Sequence, residues 1–228
     1  MIRFHYNLAP NSMKVALFLE EAGLPYKAIP VDTRKGEQFD PAYVALNPNG
    51  KVPCIVDDEA TVFDSNAILL YLAEKTGRFL SAATPASRGE MLSWLMFVAT
   101  GLGPFSGQAV HFRHFAQGSN DYARNRYAFE AERHWSILEA RLGQRRYMLG
   151  DTYTIVDMAA WGWTRMVPFV TDDGTGWSRW PNLERHADEI NARPAAQRAA
   201  TLRDRHAFKT EMDDAARQYM FRHAAPAG

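Results

Sequence analysis

The stretch from residue 46 to 77 restricts the fold of this chain more than any other part of its sequence. A turn-rich loop ends in the step Val52-Pro53, which enters a short apolar strand, and a second short strand follows after an acidic turn. Asp64 and Ser65 then begin an amphipathic helix. The tight turn indicates an antiparallel hairpin, so the stretch is predicted to fold as strand, strand and helix.

Backbone groups at both ends of this hairpin are predicted to be available to a ligand. Pro53 cannot donate to a sheet ladder, so it belongs at the first residue or edge of a strand, where it leaves the backbone of Val52 unpaired. The helix start at Ser65 offers N–H groups that suit a carboxylate. The two features together predict a site for a small acidic peptide.

The residues before this stretch predict a strand, a helix and a second strand, over 2–6, 12–23 and 26–31. Two strands joined by a helix are expected to pair in parallel. With the hairpin strands over 53–56 and 61–63, they make an α/β domain that we expect to span residues 1–80.

The rest of the chain is predicted to be helical. Residues 81–87 contain Pro85 and small side chains, which indicates a linker to an all-helical domain over 88–205 and a polar tail over 206–228. The predicted helices cover 90–105 (with an interruption at 101–104), 122–142, 154–167, 181–191 and 194–202. The helix over 154–167 is apolar on most sides and is expected at the centre of a bundle.

Composition excludes several classes of protein. The chain has 26 basic and 26 acidic residues, so it lacks the net positive charge of a nucleic-acid protein or a membrane-surface protein. It has no apolar stretch of about 18 residues and no signal-peptide pattern at its first residues. Its single cysteine, Cys54, excludes an intrachain disulfide and fits a reducing compartment. We therefore expect a cytoplasmic protein.

Several polar residues have both a structural and a functional interpretation. Asp64 and Ser65 suit a plain helix N-cap, and a carboxylate bound at the same helix start is the alternative. Asn11 and Ser12 follow the first strand, where α/β folds bind ligands, and suit either a helix cap or a hydrogen bond to a thiolate. Cys54 suits a buried hydrophobe or a reactive thiol, but no second cysteine completes a redox pair.

Other motifs predict structure rather than chemistry. Thr154 and Asp157 have the spacing of a capping box, in which each side chain accepts a hydrogen bond from the backbone of the other residue. His111 and His114 form an i, i+3 pair without further ligands, so we expect no metal site. Arg126 lies on a predicted helix rich in both charges, which is typical of an exposed face.

With these motifs, the sequence resembles the cytosolic glutathione transferase superfamily over about residues 1–205. The motifs that carry the resemblance lie at 49–53, 64–72 and 154–157. Within the superfamily the chain is most similar to the bacterial Nu class and its fungal nitrogen-regulator relatives. The matching residues are Pro10-Asn11, Gly101-Leu102-Gly103-Pro104, Gly107-Gln108 and His111-Phe112. The resemblance implies a thioredoxin-like α/β domain followed by an all-α bundle.

The resemblance also implies residue roles. Val52, beside a cis Pro53, would pair its backbone with the cysteinyl part of glutathione. The family's threonine near the sulfur is replaced by Ala9, which leaves Asn11 or Ser12 as the sulfur partner. The γ-glutamyl end would be held by Asp64 and Ser65, the glycine end by Gln38 and Lys51, and the neighbouring subunit's ligand by Arg126. A substrate pocket would be lined by Phe105, Phe112, Trp163 and Met166.

The implied activity is glutathione-dependent reduction of disulfides by thiol–disulfide exchange, in a homodimer that uses two glutathiones or glutathione disulfide. Glutathione would be the co-substrate, and no metal, nucleic acid or membrane would take part. Conjugation of glutathione to electrophiles and reduction of organic peroxides are the alternatives that use the same site. A non-catalytic glutathione-fold binding protein is a third possibility, supported by Ala9.

Overall fold

The structure is a computed structural model, which describes residues 1–171, 174 and 176–222. The chain forms two compact units: residues 1–71 with the segment from Gln197 onward, and residues 72–196. The division falls within the helix that follows the predicted hairpin. The predicted boundaries at residues 80, 88 and 205 stay predictions.

The first unit contains a four-stranded sheet with the order β2-β1-β3-β4. β1 and β2 pair in parallel, with Ile2 opposite Tyr26, and β3 pairs antiparallel with both β1 and β4. The predicted parallel pair and hairpin are therefore confirmed. The strands are β1 Ile2–Tyr6, β2 Tyr26–Pro30, β3 Cys54–Asp57 and β4 Ala60–Phe63.

Helices make up most of the remaining described structure. A 3₁₀-helical turn, Glu37–Phe39, precedes the second helix, and two π-helical turns, Val98–Leu102 and His111–Phe115, flank the fifth. Among the described residues, no helix is both long enough and apolar enough to cross a membrane. The α-helices are α1 Pro10–Ala22, α2 Pro41–Val44, α3 Ser65–Thr76, α4 Pro85–Phe97, α5 Gly103–Val110, α6 Asp121–Leu142, α7 Ile155–Thr164, α8 Val167–Thr171, α9 Pro181–Asn191, α10 Pro194–Ala200, α11 Leu202–Arg205 and α12 Asp214–Met220.

Two helices begin earlier than the apolar spacing predicts, and in both a proline occupies the first turn. α1 begins at Pro10 rather than at residue 12, and α4 begins at Pro85 rather than at residue 90. In the first turn of a helix, backbone N–H groups have no acceptor within the helix, so proline, which lacks an N–H, loses no hydrogen bond there. The Thr84 hydroxyl also accepts a hydrogen bond from the Ser87 N–H at 3.1 Å. α4 therefore takes up the last part of the predicted linker.

An interruption of the predicted helix is present as the π-helical turn Val98–Leu102, but it begins three residues before the predicted position, and residues 103 and 104 already belong to α5. A side chain at Gly101 would collide with the imidazole of His134 on α6. Glycine therefore allows this turn to pack directly against α6.

The helix α7 is almost entirely buried, as predicted, and the capping box at its start is confirmed. The Asp157 carboxylate accepts hydrogen bonds from the N–H of Thr154 at 2.8 Å and of Met148 at 2.7 Å. It also lies 3.1 Å from Nε2 of the buried His186. One fully buried carboxylate thus joins the start of α7 to α9 and to the preceding loop. The helix ends at Thr164, so its predicted extension to Val167 is wrong, and α8 follows as a separate short helix.

We expect the substitution Thr154→Ala to lower the free energy of unfolding by about 1–2 kcal/mol, the upper part of the range for lost N-caps. The Thr154 hydroxyl is fully buried and accepts from the Val156 N–H at 3.3 Å, so its removal leaves a donor that water cannot reach. Urea unfolding monitored by circular dichroism measures the change. The exposed Thr152→Ala is the control, and an equal effect of the two substitutions would contradict the cap.

Candidate functional site

The loop before β3 is fixed by hydrogen bonds to one carbonyl. The side-chain amide of Asn47 and the hydroxyl of Tyr43 both donate to the C=O of Lys51 at 2.6 Å. Asn47 also accepts from the N–H of Asn49 at 3.0 Å, which closes the turn of the motif. Asn47 was not singled out from the sequence, although its position in a turn-rich motif was a usable signal.

Val52 presents its backbone at the end of this loop. It is half-buried, and its peptide bond to Pro53 is cis, as the resemblance implies. The ladder of β3 begins at Cys54, which lies opposite His5 and Phe63. Among the described residues, the N–H and C=O of Val52 have no hydrogen-bond partner. An extended peptide can pair with these groups as an added strand does.

Asp64 caps the helix α3. Its backbone is left-handed, with φ 69°, and its Oδ1 accepts from the N–H groups of Asn66 at 2.9 Å and Ala67 at 3.1 Å. The cap interpretation is therefore confirmed. Because Phe63 lies opposite Cys54 in the hairpin, Asp64 follows β4 at the edge where β3 begins. The α3 start and the unpaired backbone before β3 thus share one edge of the sheet.

Ser65 is buried at the start of α3, where it contacts a buried lysine. The Nζ of Lys14, on α1, donates to the Ser65 hydroxyl at 3.4 Å. Burial lowers the pKa of Lys14 to about 7, an effect that the nearby charge of Asp64 opposes. Lys14 was not predicted from the sequence, although a charged side chain one turn before Phe18 on the apolar face of α1 was a usable signal.

The start of α1 holds the two candidate sulfur partners in different settings. Ser12 is fully buried; its hydroxyl donates to Asn7 Oδ1 at 3.2 Å and accepts from the Asn7 N–H at 3.3 Å. Asn11 is half-buried in the first turn. Ala9 is the N-cap residue and provides no side-chain cap. The hydroxyl of Ser12 is therefore engaged in the turn before α1.

Gln38 and Lys51, the predicted contacts of the glycine end, also differ in setting. Lys51 is exposed, whereas Gln38 is 4% exposed and donates its Nε2 to the carbonyl of Tyr219 at 3.5 Å. The ring of Tyr219 packs on Gly36, whose φ is +85°. The helix α12 therefore covers the turn that carries Gln38.

The tail before α12 is anchored to the same loop of the first unit. The Asp32 carboxylate accepts from the N–H of Lys209 at 2.7 Å, and the Arg34 guanidinium donates to the carbonyls of Lys209 and Thr210 at 2.9 and 2.7 Å. Asp213 caps α12 by accepting from the Ala216 N–H at 2.9 Å. The helix was not predicted, and residues 223–228 of the predicted tail lie outside the described residues.

The single cysteine is unsuited to nucleophilic chemistry. Cys54 is fully buried beside Val31 and Tyr43, and this burial raises the pKa of its thiol to about 11. A neutral, enclosed thiol is a poor nucleophile. The packing interpretation of Cys54 is therefore favoured.

Side-chain packing within the second unit explains the glycine motif of the sequence. The indole of Trp163 packs on α5, where a side chain at Gly103 would lie 3.1 Å from its Nε1 and one at Gly107 would lie 3.4 Å from its ring. Phe105 and Phe112 both face the ring of Tyr127, with centroid distances of 6.4 and 5.2 Å. The two glycines thus make room for Trp163, and the two phenylalanines, on α5 and on the π-helical turn after it, pack against Tyr127 of α6.

The other predicted residues of this unit have less specific surroundings. Met166 is half-buried just after α7, and Arg126 is exposed on α6, where it pairs with Glu130 at 3.0 Å. His114 lies 2.8 Å from the carbonyl of Phe169. Within the described ranges, no cluster of three or more His, Cys, Asp or Glu residues could hold a metal ion. The predicted roles of Phe105, Phe112, Trp163, Met166 and Arg126 stay predictions.

We expect Gly36→Ala to loosen the tail, because the added methyl would lie 2.5 Å from the Tyr219 ring. Trypsin cleavage after Lys209 or Arg217 should become faster than in the unsubstituted protein. Gly118→Ala is the matched control: its φ is +75° and its added methyl meets no atom within 4 Å, so it carries a similar backbone strain of about 1–2 kcal/mol without the clash. Equal cleavage rates of the two variants would show that Tyr219 is not held at Gly36.

Comparisons with known proteins agree with this architecture. Residues 9–75 match the family model "Glutathione S-transferase, N-terminal domain", and residues 121–189 match "Glutathione S-transferase, C-terminal domain". The chain is 40% identical over 206 residues to the disulfide-bond oxidoreductase YfcG of Escherichia coli, which covers 87% of this chain and 94% of YfcG. It is 37% identical over 204 residues to the E. coli disulfide-bond oxidoreductase YghU, covering 83% and 70% of the two chains.

Solved structures give the same result. A glutathione transferase from Burkholderia graminis, with two glutathione molecules bound per subunit, superposes with a TM-score of 0.84 at 35% identity, covering 90% of this chain and 89% of that one. One from Pseudomonas putida, with one glutathione disulfide bound per subunit, gives 0.81 at 35% identity, covering 87% and 90%. The predicted fold class is confirmed. The chain belongs to the glutathione S-transferase superfamily and is similar to its Nu-like members, which include proteins named disulfide-bond oxidoreductases.

Proposed function

We propose that this protein reduces small disulfides by glutathione-dependent thiol–disulfide exchange. The observation that carries the proposal is the unpaired backbone of Val52 at the sheet edge that also holds the start of α3. An extended tripeptide with a free carboxylate matches both features. Relatives named disulfide-bond oxidoreductases, and transferase structures with two glutathiones or glutathione disulfide bound, support the same ligand.

Each part of glutathione has a proposed partner in the first unit. The backbone of Val52 pairs with the cysteinyl residue, and the hydroxyl and backbone N–H of Ser65 receive the γ-glutamyl carboxylate. Asp64 receives the γ-glutamyl amine through Oδ2, since its Oδ1 caps α3. Lys51 and Gln38 bind the glycine carboxylate. Contact of the ligand with Gln38 requires α12 to move away from this turn.

The attacking thiolate belongs to glutathione, because the protein's own thiol is buried and its pKa is raised. Asn11, in the first turn of α1, donates a hydrogen bond to the sulfur, and the helix start also stabilises the thiolate. The thiolate attacks one sulfur of the substrate disulfide, which breaks the S–S bond, forms a mixed disulfide and releases a thiolate that takes up a proton. A second glutathione thiolate attacks the mixed disulfide, giving glutathione disulfide and the second thiol.

Steady-state reduction of hydroxyethyl disulfide by glutathione tests the proposal. It is run beside conjugation of a chloronitrobenzene and calorimetric titration with glutathione disulfide. Disulfide turnover with weak conjugation and tight disulfide binding is expected. Conjugation without disulfide turnover would identify an ordinary transferase, and binding without either reaction would identify a non-catalytic binding protein.

We expect Asn11→Ala to lower the rate of disulfide reduction by about tenfold or more, since a hydrogen bond to a charged group contributes about 1.5–3 kcal/mol. The thiol pKa of bound glutathione, followed by thiolate absorbance, should rise in parallel. Asn49→Ala, in the exposed part of the loop before β3, is the control for loss of an amide. An unchanged rate and pKa in Asn11→Ala would remove Asn11 from the proposed mechanism.

We further propose that the protein acts as a homodimer in which Arg126 reaches the glutathione disulfide of the partner subunit. Arg126→Ala should then weaken binding of glutathione disulfide about tenfold or more, because a charge-assisted hydrogen bond is lost. Arg124→Ala, an exposed residue two positions away on α6, is the matched control. Calorimetry with both variants, beside a measurement of molar mass in solution, decides the point; equal affinities would contradict the contact.

A further inference from the structure

A small buried polar cluster lies beneath the start of α3. It contains Lys14, which is 1% exposed, and Ser65 and Asn66, which are 4% and 3% exposed. Among the described residues, the Lys14 ammonium makes one hydrogen bond, to Ser65 Oγ, and its N···O distance of 3.4 Å is long. Asn66 Oδ1 is buried without a hydrogen-bond partner in the same part of the structure. The cluster is therefore incompletely satisfied.

Such a cluster is expensive to bury. A buried cation destabilises the fold unless nearby charges and acceptors compensate for the lost hydration. An ammonium group has three N–H donors, and Ser65 accepts one of them. Asp64 favours the charged form of Lys14 from the start of α3, but its Oδ1 is already engaged by Asn66 and Ala67. An anion bound at the start of α3 would supply the missing negative charge.

The hydrogen bond also fixes the direction of the Ser65 hydroxyl. Protonated Lys14 can only donate, so Ser65 Oγ accepts and the hydroxyl proton is free to point toward another acceptor. A hydroxyl that accepts from an ammonium becomes a stronger donor through polarisation. Ser65 is the residue proposed to receive the γ-glutamyl carboxylate, so Lys14 is hydrogen-bonded to the group that makes this contact.

We infer that Lys14 is a positioning residue for glutathione: it holds the Ser65 hydroxyl as a donor toward the γ-glutamyl carboxylate and supplies the positive charge that this carboxylate pairs with. The inference rests on the proposed function and deepens it. It assigns the anion recognition of the site to a charge inside the first unit. Lys14 acts through Ser65 and the bound carboxylate, away from the reacting sulfur.

This role makes glutathione binding dependent on pH. Burial lowers the pKa of Lys14 to about 7, and Asp64, across from α1 on the α3 side, is the charged group that acts on it. A bound carboxylate raises the pKa again, so binding near neutral pH takes up a proton. The affinity is then fully present below the pKa of the free protein and falls as pH rises above it.

Binding of S-methylglutathione tests the inference, because this thioether has no thiol proton to release. Calorimetry near pH 7 in two buffers of different ionisation enthalpy should show uptake of a fraction of a proton per ligand by the unsubstituted protein. Lys14→Met should abolish the uptake and weaken binding about tenfold or more. In turnover it should raise KM for glutathione more than it lowers kcat. Lys14→Arg, which keeps the charge over this pH range, should restore affinity without the uptake.

The exposed Lys27→Met on β2 is the control for loss of a lysine. Unchanged affinity in Lys14→Met, or binding by the unsubstituted protein without proton uptake, would overturn the inference while leaving the proposed function in place. Failure of the unsubstituted protein to bind S-methylglutathione would instead overturn the proposed function and the inference together. The proton uptake is measured on the unsubstituted protein, so the test does not depend on how well the variants fold.

Discussion

The pairing of β3 with its two neighbours determines where this protein can hold a ligand. Because β3 runs antiparallel to β1 and β4, the start of β3 lies beside the ends of the other two strands. Val52 precedes β3, and Asp64 follows β4, so both leave the sheet at one edge. The chain that follows β1 leads from the same edge into α1. An unpaired strand backbone and two helix starts are thereby brought together, and each offers N–H groups that the sheet itself does not use.

Burial has opposite consequences for the two reactive side chains of the first unit. Low polarity disfavours the charged form of any group, so it raises the pKa of the Cys54 thiol and lowers that of the Lys14 ammonium. Among the described residues, no cation is found to act on the Cys54 thiol, which stays a neutral part of the core. Lys14 has Asp64 nearby and a hydroxyl acceptor, so its charge remains accessible near neutral pH. The protein thus has a cation available for an anionic ligand but no thiolate of its own.

Local sequence patterns predicted the parts of the structure that depend on residues close together in the sequence. The hairpin, the α1 C-terminus at Gly23 and the capping box of α7 all follow from short-range turn and cap chemistry, and all were predicted. The burial of Lys14 depends on contact between α1 and α3, and the cover over Gln38 depends on Tyr219 far along the chain. Periodicity places Lys14 on the apolar face of α1, but it does not show which segment packs against that face, so neither contact was predicted.

The glycines that most clearly marked the Nu-like resemblance serve packing. Gly101 lets the π-helical turn approach His134, and Gly103 and Gly107 give the indole of Trp163 its place on α5. A motif of this kind identifies relatives because it fixes how helices pack, and it says little about the reaction. The first unit instead limits the chemistry, because the buried thiol of the chain is a poor nucleophile there and the ligand's own sulfur is the available one. Exchange between glutathione and a disulfide meets that condition, since it needs a second glutathione and no protein cysteine.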